Sequence, residues 1–413
     1  MRKVQAPRGT FDVLPDDADA REAVEREARR VLEGAGYRRI ETPTFEATEL
    51  FARGVGEATD IVRKEMFTFE DQGGRSMTLR PEGTAPVCRA YVEHGMHKLA
   101  QPVRLWYLSS FYRHEAPQAG RYRQFWQVGA EAIGSDDPAV DAETVVLLAD
   151  LLDALNTHGV RLRISSLGTP ETRAAYREEL QAHLRAHEDA LPRDVRDRID
   201  LNPLRAFDSA EAAPVMREAP KLLDRLTPED AEHFAEVRRL LEAADVPHEV
   251  DPTLVRGLDY YTRTVFEFES TELGAQSGVG GGGRYDRLVE LIGGPATPGC
   301  GWAAGVERIL LAADRPPVAP PPVDLYVAFA DDAQRAAALK LAGEARRAGL
   351  RAQMELAGRS LKGQFKQADR VGARFVAVLG GGDTELKDME SGEQRTVAGE
   401  SVVREVLRGR GIG

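Results

Sequence analysis

Hydrophobic positions recur with two different periods along the chain, and the period switches several times. Residues 21 to 35 carry apolar side chains at helical spacing among many charges and run into Gly34 and Gly36, which predicts an amphipathic helix stopped by glycine. Residues 60 to 135 alternate in the manner of strands separated by turns. Between 170 and 247 the period is helical again, in charged stretches such as E-T-R-A-A-Y-R-E-E-L and P-E-D-A-E-H-F-A-E-V. Residues 260 to 308 return to strand and glycine-rich turn. An α+β domain with an antiparallel sheet, carrying a helical insertion over about 170–247, accounts for this order.

The stretch 315–322, R-P-P-V-A-P-P-P, has five prolines in eight residues and predicts a stiff, extended spacer. After it comes a strand (Leu325 to Phe329), then a helix opening at Asp331 and Asp332 and stopped by Gly349. A strand (Arg351 to Glu355), a helix (Ser360 to Val371) and a strand (Arg374 to Leu379) follow, then a polar hairpin-like stretch and a helix from about Glu400 to Arg410. That alternation predicts a small α/β domain with a largely parallel sheet. The expected division is a core at 1–314, a linker at 315–322 and a second domain at 323–413.

Of the 413 residues 42% are hydrophobic, enough for real cores and against global disorder. Cys88 and Cys300 lie far apart without C-x-x-C spacing, which argues against a disulfide scaffold, a zinc finger or a redox pair and fits a reducing cytoplasm. No apolar run approaches the ~18 residues of a membrane span, and no hydrophobic segment follows Arg2 and Lys3 to suggest a secretory signal. The net charge of −12 taken alone disfavours a polyanionic partner. Its distribution changes that: residues 323–413 hold 15 basic against 13 acidic side chains, and the preceding 322 hold 40 against 54. The acidity belongs to the body, so the net charge does not exclude a nucleic-acid partner, whose binding would be local and steered by patches rather than by overall attraction.

Four segments concentrate polar groups. Arg104 to Ile133 reads as two strands joined by H-E-A-P-Q-A-G-R-Y-R. Alternation puts Arg113 and Glu115 on one face of the first and Gln127, Gly129 and Glu131 on one face of the second, with Trp126, Val128, Ala130 and Ala132 packing behind. Gly129 leaves room for a ligand to approach the sheet. The run L-V-R-G-L-D-Y-Y-T-R-T-V-F-E-F-E, 254–269, places Arg256, Asp259, Tyr260 and Tyr261 within six residues. In G-V-G-G-G-G-R-Y-D-R-L, 278–288, glycines precede Arg284, Tyr285 and Asp286; it is neither a Walker loop nor a dinucleotide fingerprint. The stretch G-W-A-A-G-V-E-R-I-L, 301–310, puts Glu307 and Arg308 on a helix packed through Val306, Ile309 and Leu310. Each has a plainer alternative: a hairpin face open to water, tyrosines at a core rim, a flexible glycine turn. His183 and His187 have the spacing of a helical metal pair but lack the adjoining glutamate, and no metal site is expected there.

Together these segments resemble the histidyl-tRNA synthetases, a family of class II aminoacyl-tRNA synthetases, over essentially the whole chain. R-G-T-F-D-V-L-P, T-L-R-P-E-G-T at 78–84, F-Y-R-H-E with G-R-Y-R-Q-F, and E-R at 307–308 resemble the family's opening segment and class II motifs 2 and 3. E-T-P-T-F-E with Pro43 resembles motif 1, which builds the dimer interface and so implies a homodimer. L-V-R-G-L-D-Y-Y-T-R-T-V-F-E and G-G-G-R-Y-D are the most specific, matching two signatures peculiar to the histidine enzyme.

The resemblance implies a class II catalytic fold followed by an anticodon-binding domain, acting on histidine, ATP and tRNA(His). Activation joins the histidine carboxylate to the α-phosphate and expels pyrophosphate; the substrate is the nucleophile, so the protein's work is to hold anions, which suits arginine. By resemblance Arg113 contacts the α-phosphate, Arg308 the γ-phosphate, and Arg256 bridges carboxylate and α-phosphate as the distinctive catalytic group. Glu115 reads the adenine edge, with Mg²⁺ on the phosphates. Glu82, Thr84 and Gln127 take the substrate ammonium, Glu131 and Tyr261 the ring nitrogens, and Tyr260 and Tyr285 line the pocket. A pocket of this kind rejects analogues without the matching polar atoms, so editing is unnecessary. In R-S-L-K-G-Q-F-K-Q-A-D-R, Leu361, Phe365 and Ala368 form the core stripe, and Lys362, Lys366 and Arg370 a basic stripe for tRNA or simply for solvent. Leu379 to Met389 is shorter than the usual hairpin, and the insertion is placed on the acceptor stem. The main alternative is the inactive regulatory paralogue of histidine biosynthesis, which typically lacks the anticodon domain and erodes both signatures; a biotin- or lipoate-type ligase is more distant.

Overall fold

The computed structural model describes residues 3–57, 59–274, 277–314, 322–380 and 382–410. The chain divides into two compact units, Met1–Pro316 and Pro317–Gly413. Most of the proline-rich stretch, 315–321, lies outside the described residues.

The first unit contains β1 (Arg38–Arg39), β2 (Phe45–Ala47), β3 (Phe67–Glu70), β4 (Ser76–Leu79), β5 (Val103–Tyr112), β6 (Gln124–Ile133), β7 (Val160–Ser166), β8 (Glu249–Val250), β9 (Thr262–Ser270), β10 (Gly278–Arg284) and β11 (Gly299–Gly305). Among the described residues eight of them form one sheet in the order β1-β5-β6-β11-β10-β9-β7-β8. Its neighbours run antiparallel except the outermost pairs, β1 with β5 and β7 with β8. A separate sheet has the order β2-β4-β3.

One face of the large sheet is apolar because the strands alternate: Trp106, Val128, Ala130, Ala132, Phe266 and Phe268 all point into one buried cluster. Helices cover it, with Phe234, Val237 and Leu241 of Pro228–Ala243 among their contributions. Pro15–Gly34 contributes Val24, Ala28 and Leu32 at four-residue spacing, and Pro138–Ala154 contributes Val145, Leu148 and Leu152. The first of these starts earlier than its apolar period, because Pro15 and the acidic Asp16 and Asp17 suit a helix N-terminus. The other face carries the polar groups considered below.

Two segments depart from the sequence expectation. Residues 84 to 93 fall in the stretch read as strands and turns, yet Thr84–Glu93 is a helix. The Glu82 carboxylate caps it, accepting from Thr84 N at 2.8 Å and Ala85 N at 3.0 Å, and Ala85, Val87, Cys88 and Tyr91 are buried against neighbours. Tertiary packing outweighs the strand-like composition there. The glycine run at 278–284 is a central strand rather than a turn. A Cβ at Gly280 would stand 2.6 Å from Ala304 Cβ, and one at Gly282 would stand 1.9 Å from the Gly301 carbonyl oxygen, so only glycine lets β11 approach this closely.

The stretch 170–247 is built of the helices Pro170–Ala186, Arg193–Arg196, Ala213–Arg217 and Pro228–Ala243 with short turns, and no strand occurs among its described residues.

The second unit holds β12 (Leu325–Phe329), β13 (Ala352–Met354), β14 (Phe375–Leu379), β15 (Thr384–Asp388) and β16 (Gln394–Val397), in the order β13-β12-β14-β15-β16. β13, β12 and β14 are parallel, whereas β15 and β16 form an antiparallel hairpin that extends the sheet. The polar stretch after Leu379 is therefore part of the sheet, with Gly381 outside the described residues. On the helix Leu361–Arg370, Ala368 is buried with Leu361 and Phe365 packed beside it, and Lys362, Lys366 and Arg370 are exposed. Gln364 is buried too, its amide bonding the backbone of Phe329 on both sides at 2.9 Å. Among the described residues no helix is long and apolar enough to cross a membrane.

Candidate active site

The polar face of the sheet opens into a cleft of about 380 Å³ whose walls carry four guanidinium groups, those of Arg113, Arg121, Arg256 and Arg308. Arg113 is anchored by an Nε–H donated to the Pro81 carbonyl at 2.9 Å and stacks 5.4 Å from the Phe125 ring centre. Arg256 donates Nη1–H to Glu267 Oε1 at 2.8 Å. Burial opposes the charge on Arg256, but the Glu267 carboxylate and the Tyr261 phenol outweigh it and hold the guanidinium firmly protonated. Arg308 stands at the start of the helix Val306–Ala312, where burial and the charge of Arg121 both press its pKa down. Glu307 fixes that helix, accepting from Trp126 N at 3.1 Å and from Arg21 at 2.6 Å. The carboxylates of Glu115, Glu267, Glu269 and Glu307 line the same cleft, so the charges alternate densely and an anionic ligand finds several guanidinium donors within reach. The glycines of β10 make the floor: a Cβ at Gly278 would lie 2.7 Å from Glu267 Oε1, and one at Gly281 would lie 3.2 Å from Arg256 Nη1.

Beside the arginines lies a buried cluster of carboxylates and hydroxyls. Glu131, fully buried on β6, accepts from the Tyr285 hydroxyl at 2.6 Å, from Thr84 Oγ1 at 2.8 Å and from the Tyr107 hydroxyl at 3.4 Å. Its space exists because residue 301 is glycine; a Cβ there would sit 1.9 Å from Glu131 Oε2. Burial pushes the Glu131 carboxyl up to about 8, against the pull of its hydroxyl donors and with a further push from Glu82. Burial also raises Glu82, partly offset by the backbone N–H groups of Ala85 and Thr84. The Tyr260 hydroxyl reaches Glu82 at 3.5 Å, and the Tyr260 ring centre is 4.7 Å from that of Tyr261 and 5.9 Å from that of Tyr285. Gln127, four residues before Glu131 on β6, lines the cleft, and its buried Oε1 has no hydrogen-bond partner among the described residues.

Arg113, Glu115, Gln127, Arg256 and Arg308 thus share the cleft wall, and Glu82, Thr84, Glu131, Tyr260, Tyr261 and Tyr285 lie in or around the buried cluster. Lys362, Lys366 and Arg370 belong to the other unit. Two inferences from strand alternation need correction. Arg113 and Glu115 lie beyond the end of β5, in an irregular segment, and Glu115 is turned into the cleft wall by an ion pair with Arg121. Gly129 does not make room for a ligand: Tyr107, its partner in register on β5, fills that space, with ring atoms 2.3 Å from where a Cβ would be. Tyr107, Arg121 and Glu267 are the site residues that sequence reasoning missed. The gap at Gly129 was the signal for Tyr107, and the alternation F-E-F-E was the signal for Glu267, since Phe266 and Phe268 are core. Among the described residues no group of three or more His, Cys, Asp and Glu is placed to hold a metal ion.

A buried polar cluster beside an arginine-rich cleft on a largely antiparallel sheet has the layout of a class II aminoacyl-tRNA synthetase. Residues 9–309 match the family model described as histidyl-tRNA synthetase, and 324–408 match that of an anticodon binding domain. A histidine–tRNA ligase of Halothermothrix orenii is 45% identical over 98% of this chain and 99% of its own length. One from Rubrobacter xylanophilus is 49% identical over 95% of this chain and 96% of its own length. The crystal structure of apo S. aureus histidyl-tRNA synthetase superposes with a TM-score of 0.80 at 35% identity, covering 98% of this chain and 100% of that one. The chain belongs to the histidyl-tRNA synthetase family.

Proposed function

We propose that this protein activates histidine with ATP to histidyl-adenylate and transfers the histidine to the 3′ end of tRNA(His). The observation that carries the reading is the buried Glu131 cluster lying next to the four-arginine cleft, with Tyr261 of the cluster acting on Arg256 of the cleft. In the inner cluster Glu131 and Tyr261 take the imidazole nitrogens, Glu82, Thr84 and Gln127 the ammonium, and Tyr260 and Tyr285 enclose the ring. The open acceptor Gln127 Oε1 suits an ammonium donor.

Arg113 and Arg256 hold the α-phosphate and the attacking carboxylate together, so two anions that repel in water meet in a fixed arrangement. Arg308 takes the γ-phosphate and steadies the departing pyrophosphate, and Glu115 reads the adenine edge. The cleft carboxylates do not fit a resident metal: Glu267 is paired with Arg256, Glu115 with Arg121, Glu269 with Arg163 and Glu307 with Arg21. Mg²⁺ enters only as the counter-ion that the nucleotide's phosphates bring.

The core at 1–314 is assigned to activation and the domain at 323–413 to the anticodon, with the stripe Lys362, Lys366 and Arg370 as a tRNA contact and 170–247 against the acceptor stem. A homodimer in the cytoplasm completes the proposal, supported by the exposed Phe45 and Phe69 on the β2-β4-β3 sheet and by two buried free thiols. The regulatory-paralogue alternative is disfavoured by both intact signatures and by the near full-length likeness to ligases. The test is histidine-dependent exchange of pyrophosphate into ATP, followed by tRNA charging. Folded protein that gives no exchange above background with histidine would sink the reading.

A further inference from the structure

Tyr260 and Tyr261 end an irregular segment just ahead of β9, and the backbone there turns in an unusual way. Arg263 has φ of +44°, a left-handed conformation in a residue that carries a Cβ. Beside it the pairing of β9 with β10 slips: Gly283 faces Val265 but Arg284 faces Thr262, so β9 bulges between them. Such a backbone persists only where its surroundings hold it.

The holding groups come from the insertion. Arg173, on the helix Pro170–Ala186, donates Nη1–H to the Tyr261 carbonyl at 2.7 Å. Asp230, fully buried on the helix Pro228–Ala243, accepts from Arg263 Nε at 3.0 Å. The same carboxylate accepts from Thr169 N at 3.1 Å and Thr172 Oγ1 at 3.2 Å, tying the last helix of the insertion to its entry and first helix, 61 and 58 positions away in sequence. Glu229 pairs with the far side of the Arg263 guanidinium. Backbone bonds from Arg263 N to the Gly168 carbonyl (2.8 Å) and from Leu167 N to the Arg263 carbonyl (2.7 Å) close the junction. The first and last helices of the insertion therefore converge on the three residues 261–263.

We infer that the insertion is a scaffold for the amino-acid pocket, with Arg173, Asp230 and Arg263 as positioning residues that hold Tyr260 and Tyr261 in place. The inference rests on the histidine-activating reading above. None of the three is hydrogen-bonded or ion-paired to a cleft arginine; Arg113 is held on the Pro81 carbonyl, and Arg256 keeps its bond to Glu267 even where the Tyr261 phenol beside it shifts. Loosening the clamp lets the tyrosines wander, so the ordering is charged to histidine binding while the nucleotide side is spared.

Pyrophosphate exchange with histidine and ATP varied separately tests it, using Arg173→Met, which keeps the apolar stem, and Arg263→Gly, which cuts the tether at a position whose φ suits glycine. The expected result is a histidine KM raised about tenfold with the ATP KM within about twofold, and partial recovery in Arg173→Lys. Folded variants with an unchanged histidine KM overturn the inference. So does an equal rise in both KM values with a lowered Tm, or failure of both variants to fold, since each means that these groups hold the fold rather than the pocket. Wild-type protein that neither exchanges nor gains thermal stability with histidine overturns the functional reading itself, and the inference falls with it.

Discussion

Glu131 is the residue whose chemistry depends most on its surroundings. Its carboxyl rises from 4.5 to about 8 because the pocket is dry, and each unit of such a shift corresponds to about 1.4 kcal/mol between the two protonation states. The folded-state pKa exceeds the unfolded one, so stability is unpenalised below about pH 4.5 and is lost as pH rises through 8. Glu131→Gln removes that loss. Urea unfolding should show the variant gaining on the wild type by a few kcal/mol between pH 5 and pH 9, while histidine-dependent exchange collapses. A stability difference that does not change with pH would contradict this account. Arg256 is the complementary case, since Glu267 secures its charge against burial and its position is what counts. Arg256→Ala should leave the fold intact and slow exchange by about 10²- to 10³-fold, the typical loss for one donor aimed at developing charge; a wild-type rate would remove Arg256 from the chemistry.

Among the elements, β10 shows how a strand can be specified by what it lacks. Its glycines let β11 close in on one side and leave space for Glu267 and Arg256 on the cleft side. The helix Leu361–Arg370 is specified in the opposite way, by side chains: an apolar stripe packs, and Lys362, Lys366 and Arg370 stand in solvent beside it. If that stripe meets tRNA, Lys362→Glu with Lys366→Glu should raise the KM for tRNA in charging by tenfold or more, from about 1 kcal/mol of contact per position. Pyrophosphate exchange should be untouched, because no tRNA takes part in it. Equal charging by variant and wild type would return the stripe to a solvated face.

At the scale of the molecule, the exposed pair Phe45 and Phe69, 50% and 43% accessible with ring centres 6.1 Å apart, forms an apolar spot on the β2-β4-β3 sheet. Sedimentation of the wild type should give a dimer, and Phe45→Ser with Phe69→Ser should shift it toward monomer; identical profiles would place the interface elsewhere. Much of this was legible from sequence alone. The strands β5, β6, β12 and β14, the helical character of 170–247 and the nomination of Arg113, Glu115, Gln127, Arg256 and Arg308, though not of Arg121 or Glu267, follow from periodicity and motif, because they depend on residues close in the chain. Other features required the folded protein: Tyr107 filling the gap at Gly129, the helix Thr84–Glu93 inside an apparently strand-like stretch, the glycine run as a sheet centre, and the high pKa of Glu131. Each of these depends on contacts or burial supplied by segments distant in sequence, and no local pattern carries that information.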